Sequence, residues 1–148
     1  MSVEIRDVAI PEALQDAMSR QAQAEREKQA RVILGKTGED LACAELEKRG
    51  YAIVARRYRR RSGELDIVAR DGPTLVFVEV KAREGRAFGE AAEAVTVFKR
   101  RRITRLAIDY MTRHHLAGCP CRFDVVSIHL DSGAPVIELF QNAFDAAF

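Results

Sequence analysis

Two apolar runs rich in β-branched residues, 63–68 and 76–81, carry charged residues at alternate positions. Because successive side chains of a strand point to opposite faces, each run predicts a strand with one charged and one apolar face. The charged residues that we expect on one common face are Glu64, Asp66, Glu79 and Lys81. The apolar residues expected on the opposite face are Leu65, Ile67, Val78 and Val80.

The segment between the two runs predicts a hairpin turn, since residues 71–74 read Asp-Gly-Pro-Thr. A four-residue loop would place Asp66 opposite Glu79, whereas a two-residue loop would place Glu64 opposite Glu79. Both registers keep the charged side chains on one face. Two carboxylates directly opposite each other repel unless a cation lies between them.

The N-terminal part of the chain predicts helices. Residues 1–30 are rich in helix formers without a clear apolar stripe, so we expect a peripheral helix or a mobile arm. A second helix is predicted to begin at Thr37 as N-cap and to end at Gly50. Residues 51–54 then predict a short strand, which leads into an arginine-rich loop at 56–61.

After the hairpin, residues 85–89 predict a mobile loop and residues 90–116 a long helix. The apolar residues expected on one side of that helix are Val95, Phe98, Ile103, Leu106 and Tyr110. Two further strands are predicted at 122–130 and 136–140. The order of elements predicts an α/β sandwich around a mixed sheet, with residues 31–148 as a single domain.

Positive charge is concentrated in the middle of the chain. Residues 51–105 contain fourteen Lys and Arg against seven Asp and Glu, although the formal net charge of the whole chain is only +2. Such a concentration of positive charge beside a group of acids indicates that the protein holds a polyanion at a place where a bound cation acts on it. The candidate nucleic-acid-binding residues are Arg57, Tyr58, Arg59, Arg60, Arg61, Lys99 and Arg102. Each basic block alone is equally typical of a solvated surface.

Among the aromatic residues, Tyr58 lies between arginines and is the candidate for stacking on a base. Phe77, Phe98 and Phe123 are expected in the core. No segment approaches a membrane span, and the N-terminal region lacks the pattern of a signal peptide. The three cysteines are too few for a disulfide scaffold. These features predict a cytoplasmic protein without a membrane partner.

The charged strand face predicts a divalent-cation site that acts on phosphates. Mg²⁺ is usually held by one or two carboxylates together with waters and substrate oxygens. Asp66 and Glu79 are the expected metal ligands, and the Val80 carbonyl between the charged positions could add a neutral oxygen. Lys81 would lie beside the attacking water or the scissile phosphate. Glu39, from its helix, could add a third carboxylate.

The same residues admit a structural interpretation. Glu79 and Lys81 could form cross-strand ion pairs with Glu64 on an exposed strand face, and Glu39 is a residue that a helix dipole favours in the first turn. Residues 75–80, however, form an almost continuous apolar run typical of a strand buried on both faces. Charges on such a strand must be paired or bound to a metal, which favours the site.

An Asp on one strand, Glu-x-Lys on the next and an upstream helical Glu resemble the PD-(D/E)xK nuclease superfamily. More closely, about residues 31–148 resemble the YraN-like family of uncharacterised bacterial proteins. The motifs that carry the closer resemblance are Gly38-Glu39, Gly63-Glu64-Leu65-Asp66, Phe77-Val78-Glu79-Val80-Lys81, Lys99, Arg122-Phe123-Asp124-Val125 and Asn142-Ala143-Phe144. One departure is Leu65, which stands where the superfamily has Pro before its Asp.

The resemblance implies a restriction-endonuclease-like three-layer sandwich, in which helices flank a mixed central sheet. It implies Mg²⁺ or Mn²⁺ as the cofactor. The positions that would be catalytic and metal-binding are Glu39, Asp66, Glu79 and Lys81. Lys99 and Arg102 match the family's basic helix and would approach the substrate backbone.

Two function classes follow. The first is a metal-dependent endonuclease on DNA, whose target is decided by DNA structure because no base-reading helix is apparent. Cutting both strands would require two sites, which is compatible with a homodimer. The second is a non-catalytic nucleic-acid-binding protein on the same fold, serving DNA repair, recombination or uptake. The intact Asp66, Glu79 and Lys81 favour the first, since binding alone gains nothing from carboxylates that face phosphates.

Overall fold

The computed structural model describes residues 9–83, 95–131 and 133–148. Within these ranges the chain forms two helices and five strands. In chain order they are α1 (Glu12–Lys48), β1 (Ala52–Arg60), β2 (Gly63–Asp71), β3 (Thr74–Arg83), α2 (Val97–Arg113), β4 (Cys121–His129) and β5 (Val136–Phe144). The predicted loop at 85–89 and residues 90–94 of the predicted helix lie outside the described residues.

The chain divides into two compact units, Met1–Ile33 and Leu34–Phe148. In the first unit, the described residues 9–33 are exposed, and those from Glu12 onwards are helical. The second unit contains the C-terminal part of α1, the strands and α2, and therefore every candidate site residue. Neither helix of the described ranges is long and apolar enough to cross a membrane.

Helix α1 continues without interruption through Thr37, so the predicted helix start at that residue was wrong. Good helix formers lie on both sides of Thr37, and a threonine caps a helix only where the preceding backbone leaves the helical conformation. The predicted end at Gly50 is confirmed. Gly50 has a φ of 91°, and the Tyr51 N–H donates to the Leu46 carbonyl at 2.9 Å, as in other glycine-terminated helices.

The five strands form one mixed sheet in the order β1-β2-β3-β4-β5. Strands β3 and β4 are parallel, and every other neighbouring pair is antiparallel. Parallel neighbours require a long connection, and the connection from β3 to β4 contains α2. The predicted α/β class with a mixed sheet is confirmed.

Alternate residues of β3 pack on opposite faces of the sheet. Leu75 and Phe77 belong to a core cluster with α2, and we call this side the α2 face. Val76 and Val78 belong to a second cluster with the C-terminal part of α1, and we call this side the α1 face. Burial on both faces explains the almost continuous apolar sequence of β3. Each face of the sheet is therefore covered by one helix.

The hairpin of β2 and β3 has one of the two predicted registers. Arg70 pairs with Leu75, which is the register that places Asp66 opposite Glu79. The alternative register, with Glu64 opposite Glu79, was wrong. Continued by one residue, this register places Asp66 and Glu79, the two central carboxylates of the predicted site, at facing positions on neighbouring strands.

The alternation of side chains breaks down in the first half of β2. Leu65 packs on the α2 face and Ile67 on the α1 face, so the prediction that they share a face was wrong. On the neighbouring strand β1, Arg57 has a φ of 53°, a left-handed conformation that interrupts the pleat. The two β1 residues that flank Arg57 pair with Leu65 and Ile67, so the irregularity lies at this point of the ladder.

Two further predictions were wrong. The arginine-rich segment predicted as a loop belongs to strand β1, because hydrogen bonding to β2 keeps it extended whatever charge its exposed side chains carry. Phe98 was expected in the core but is 76% exposed. The Thr96 hydroxyl caps α2 by accepting from the Lys99 N–H at 3.2 Å. Phe98 therefore lies in the first turn, before the buried face that begins at Ile103.

Candidate functional site

The candidate site lies where β2 and β3 separate. Pairing between these strands ends at Ile67 and Val78. Beyond this point the Asp66 side chain takes the place of a backbone partner, because its Oδ2 accepts a hydrogen bond from the Val80 N–H at 2.8 Å. The N–H and C=O of one strand residue point the same way, so the Val80 carbonyl is directed toward the side of β3 on which Asp66 lies.

Glu79 is the buried anion of the site, with 8% of its surface exposed. Lys99 of α2 forms a close ion pair with Glu79, and Lys81 Nζ lies 3.7 Å from Glu79 Oε1. Burial of a carboxylate is costly unless it is paired, and the two lysines supply that pairing. Glu79 and Lys81 therefore lie together on one side of β3, as the alternation of the sequence predicts.

Asp66 lies close enough to Glu79 for Glu79 to affect the protonation of Asp66. Burial, together with the charge and hydrogen bonding of Glu79, raises the pKa of Asp66 to about 7. The hydrogen bond from Val80 and the charge of Lys99 act in the opposite direction but are outweighed. A carboxylate pair that tends to hold a proton near neutral pH also offers a place where a metal cation can replace that proton.

The pKa values of the two lysines of the site are shifted in opposite directions. Burial and the neighbouring ammonium group of Lys99 lower the pKa of Lys81. Burial also acts against the charge of Lys99, but its hydrogen bonds with Glu79 and Lys81 prevail and raise the pKa of Lys99. Lys99 is therefore the more permanent cation, and Lys81 releases its proton more easily.

The donor atoms fit a small divalent cation. No cluster of three or more His, Cys, Asp or Glu side chains that could hold a metal occurs among the residues that the structure describes. Mg²⁺ needs only one or two carboxylates, because waters and substrate phosphates complete its coordination. The structure brings Asp66 and Glu79 together, and these two carboxylates would meet this requirement, with the Val80 carbonyl as a further candidate ligand.

Glu39 lies on α1 and has other partners. Its carboxylate is 7% exposed and accepts hydrogen bonds from Arg56 and Arg57, each at 3.0 Å. No hydrogen bond or ion pair joins Glu39 to Asp66 or Glu79 in the described part of the chain. Arg56 and Arg57 are thus the partners of Glu39 among the described residues, and its catalytic role stays a prediction.

Three predicted nucleic-acid-binding arginines of β1 already have acidic partners. The pairs are Arg57 with Glu39, Arg59 with Glu64, and Arg60 with Asp109. Glu64, predicted on the same face as Asp66, thus lies in a separate ion pair. The pairs of Arg59 and Arg60 are exposed and contribute little, so these two arginines can still meet phosphates, whereas Arg57 pairs with the buried Glu39. Arg61 and Arg102 have no acidic partner among the described residues.

Tyr58 packs against the protein. Its hydroxyl donates to Asp109 Oδ2 at 2.6 Å, and its ring meets the Tyr110 ring edge to face, with centroids 5.1 Å apart. This packing conflicts with the stacking role predicted for Tyr58. An exposed aromatic side chain, Phe98, lies next to Lys99 instead.

The contact between Lys99 and Glu79 was not predicted. The family resemblance assigned Lys99 to the substrate backbone. A lysine in a basic block gives no sign of which distant carboxylate it will meet, so its contact with Glu79 could not be seen in the sequence. The signal that could have found it is the capped start of α2 at Thr96, which places Lys99 in the first turn after the crossover from β3.

The Arg122-Phe123-Asp124-Val125 motif has a structural role. Asp124 is fully buried and accepts hydrogen bonds from Arg122 Nε at 3.1 Å, Tyr51 Oη at 3.1 Å and the Asn142 N–H at 2.9 Å. These donors satisfy the carboxylate and fasten β4 to β5 and to the end of α1. The motif therefore supports the sheet rather than forming part of the carboxylate site.

Comparison with known proteins identifies the family. The model of the uncharacterised protein family UPF0102 matches residues 38–128, a range that includes all four predicted catalytic positions. A UPF0102 protein of Geobacter sulfurreducens is 50% identical over 117 residues, which cover 78% of this chain and 91% of the relative. A UPF0102 protein of Symbiobacterium thermophilum is 49% identical over 114 residues, which cover 76% of this chain and 97% of the relative. This chain therefore belongs to the UPF0102 family.

Proposed function

We propose that this UPF0102 protein is a Mg²⁺- or Mn²⁺-dependent endonuclease that hydrolyses phosphodiester bonds of DNA. The observation that carries the proposal is the convergence of Asp66 and Glu79 where β2 and β3 separate, with Lys81 and Lys99 beside them. A mixed sheet with a helix on each face also supports a restriction-endonuclease-like member of the PD-(D/E)xK superfamily.

Asp66, Glu79 and the Val80 carbonyl would hold the cation. When bound, the cation supplies Lewis acidity toward the phosphate and makes a neighbouring water more acidic. The chain contributes rigid placement, because Glu79 lies on a central strand and the Val80 N–H fixes the Asp66 carboxylate.

The lysines would act on the phosphate. Lys81 would offset the negative charge that develops during hydrolysis or orient the attacking water. Lys99 would supply a second, more permanent positive charge. Glu39 stays a catalytic candidate in this proposal, and its carboxylate accepts hydrogen bonds from Arg56 and Arg57.

The basic residues of β1 and α2 favour DNA that is held by its backbone. Contacts to phosphates position a nucleic acid but carry no sequence information, so DNA structure would decide where the protein cuts. A cut in both strands would require two copies of the chain. DNA repair or recombination would supply substrates of this kind.

Purified protein with labelled single-stranded, flapped and four-way DNA tests the proposal. With Mg²⁺ or Mn²⁺ the wild type is expected to cut at least one form. Glu79→Gln and Lys81→Met are expected to lower the cutting rate by roughly 100-fold or more while DNA binding persists. Glu64→Gln is the matched control, because it removes a carboxylate of the same hairpin that pairs with Arg59 instead. Full-rate cutting by both site variants would contradict the assignment.

A non-catalytic nucleic-acid-binding protein is the second candidate, and one observation favours it. Glu79 is already paired with Lys99, and Asp66 accepts from the Val80 N–H, so both carboxylates have protein partners without a cation. This function predicts that wild type and variants bind DNA alike and that no form of DNA is cut with either metal.

A further inference from the structure

An open cleft lies between the turn that joins β1 to β2 and helix α2. Its volume is about 590 Å³, and the residues that line it are Arg60, Arg61, Ser62, Arg105 and Asp109. Three of these five side chains are cationic and one is a hydroxyl. The cleft therefore offers hydrogen-bond donors and positive charge, the chemistry that binds a phosphate group.

The acid in the cleft does not cancel this charge. Asp109 Oδ2 accepts from the Tyr58 hydroxyl at 2.6 Å, and it lies 3.2 Å from Arg113 Nε and 3.3 Å from Arg60 Nε. Asp109 is thus occupied by three donors and holds Arg60 at one wall of the cleft. No acidic partner of Arg61 or Arg105 lies within ion-pair distance among the residues that the structure describes.

The cleft and the carboxylate pair are connected along one helix. Lys99, which contacts Glu79, is followed on α2 by Arg102 and Arg105 at three-residue intervals, and residues so spaced are neighbours on a helix surface. The turn is packed against the same helix. A Cβ atom built on Gly63 would lie 3.0 Å from Arg102 Cδ, and the φ of 143° at Gly63 suits glycine.

The separation can be expressed in nucleotides. From Lys99 to Arg105 the helix rises by about 9 Å, and one strand of B-DNA rises by about 3.4 Å per nucleotide. Lys99 and Arg105 also lie about 120° apart around the helix axis, so this rise is a lower bound on their separation. A strand that reaches both places would span a few nucleotides.

We propose that the cleft binds a backbone phosphate of the substrate strand, a few nucleotides from the phosphodiester held at Asp66 and Glu79. Arg61 and Arg105 donate to this phosphate, and Asp109 is a positioning residue that orients Arg60. The inference rests on the proposed function, since it takes the occupant of both places to be one strand of nucleic acid.

Binding of oligothymidylates of two to eight nucleotides, measured at low salt with Ca²⁺ to join the carboxylates to the first phosphate, tests the inference independently of cleavage when the oligonucleotide is recovered intact. Wild type is expected to gain about tenfold in affinity once the strand is long enough to reach the cleft, at roughly four nucleotides, as one charge-assisted contact is added. Arg61→Ala and Arg105→Ala should each lose this step. With a longer oligonucleotide, each should also lower the slope of log affinity against log salt by about one.

Arg101→Ala is the matched control, because Arg101 is an exposed arginine of the same helix that does not line the cleft. It should keep the step at full size. A step that survives in both Arg61→Ala and Arg105→Ala, or a smooth gain with length in the wild type, would overturn the inference even if the protein cuts DNA. A length-dependent step in a protein that cuts no DNA would support phosphate binding in the cleft and would contradict only the nuclease proposal.

Discussion

At the scale of single residues, the protonation of Asp66 distinguishes this site from an ordinary surface cluster. Its pKa is raised to about 7 because it is buried and faces Glu79. Glu79 itself is compensated by two lysines. The sequence predicted which side chains would meet, because strand alternation and turn chemistry are local rules. It could not predict that Lys99, from another element, would contact Glu79 and lie beside Lys81.

The raised pKa of Asp66 predicts a pH dependence of stability without metal. Because the folded-state pKa, about 7, exceeds the unfolded value of 3.8, the folded state holds the proton more tightly. The resulting stabilisation is complete below about pH 4 and is lost as the pH rises toward 7, at most about 1.4 kcal/mol per pKa unit. Asp66→Asn lacks this group, so its stability relative to wild type should rise between pH 4 and pH 8.

Urea unfolding with a chelator present measures this difference, and Glu64→Gln serves as the control for loss of a carboxylate from the same hairpin. A difference between Asp66→Asn and wild type that stays constant from pH 4 to pH 8 would contradict the assigned protonation.

At the scale of elements, the hairpin was predicted more accurately than the helices. Turn residues and alternation constrain a register within about twenty residues of sequence, whereas the length of α1 depends on the absence of any signal strong enough to interrupt it. Phe98 shows the same limit, since helical spacing cannot tell in which turn the buried face of α2 begins.

Gly38 predicts a packing effect between α1 and β3. A Cβ atom at Gly38 would lie 2.6 Å from Ala82 Cβ, closer than real Cβ atoms approach one another. Gly38→Ala should therefore destabilise the protein by about 1–3 kcal/mol despite the better helix propensity of alanine. Gly35→Ala is the control in the same helix, because nothing lies within 4 Å of the added atom. It should stabilise the helix by up to about 1 kcal/mol.

Chemical denaturation of the two glycine variants measures both effects. Equal stability changes in Gly38→Ala and Gly35→Ala would show that α1 does not press against β3 at Ala82.

The two apolar residues of α2 that were predicted alike should differ in stability. Leu106 is 1% exposed and Phe98 is 76% exposed. Leu106→Ala should cost about 2–5 kcal/mol because it leaves a cavity in the core, whereas Phe98→Ala should change stability by less than about 0.5 kcal/mol. Thermal unfolding compares them, and a large loss in Phe98→Ala would show that its ring is buried.

At the scale of the whole molecule, the features that the sequence did not predict depend on contacts between residues far apart in the chain. The mixed sheet and the positions of Asp66, Glu79 and Lys81 were predicted from local patterns. The pairing of Glu39 with Arg56 and Arg57, and of Asp124 with Tyr51, joins residues far apart in sequence. Patterns within one element carry no information about such partners, so these pairings were not predicted.

The central claim is that Asp66 and Glu79 together hold one divalent cation. Titration of the purified protein with Mn²⁺, followed by electron paramagnetic resonance of the free ion, tests it directly. One bound Mn²⁺ per chain is expected in wild type and in Glu64→Gln, and loss of that binding in Asp66→Asn and in Glu79→Gln. Equal Mn²⁺ binding by all four proteins, or none by the wild type, would show that Asp66 and Glu79 do not form a cation site.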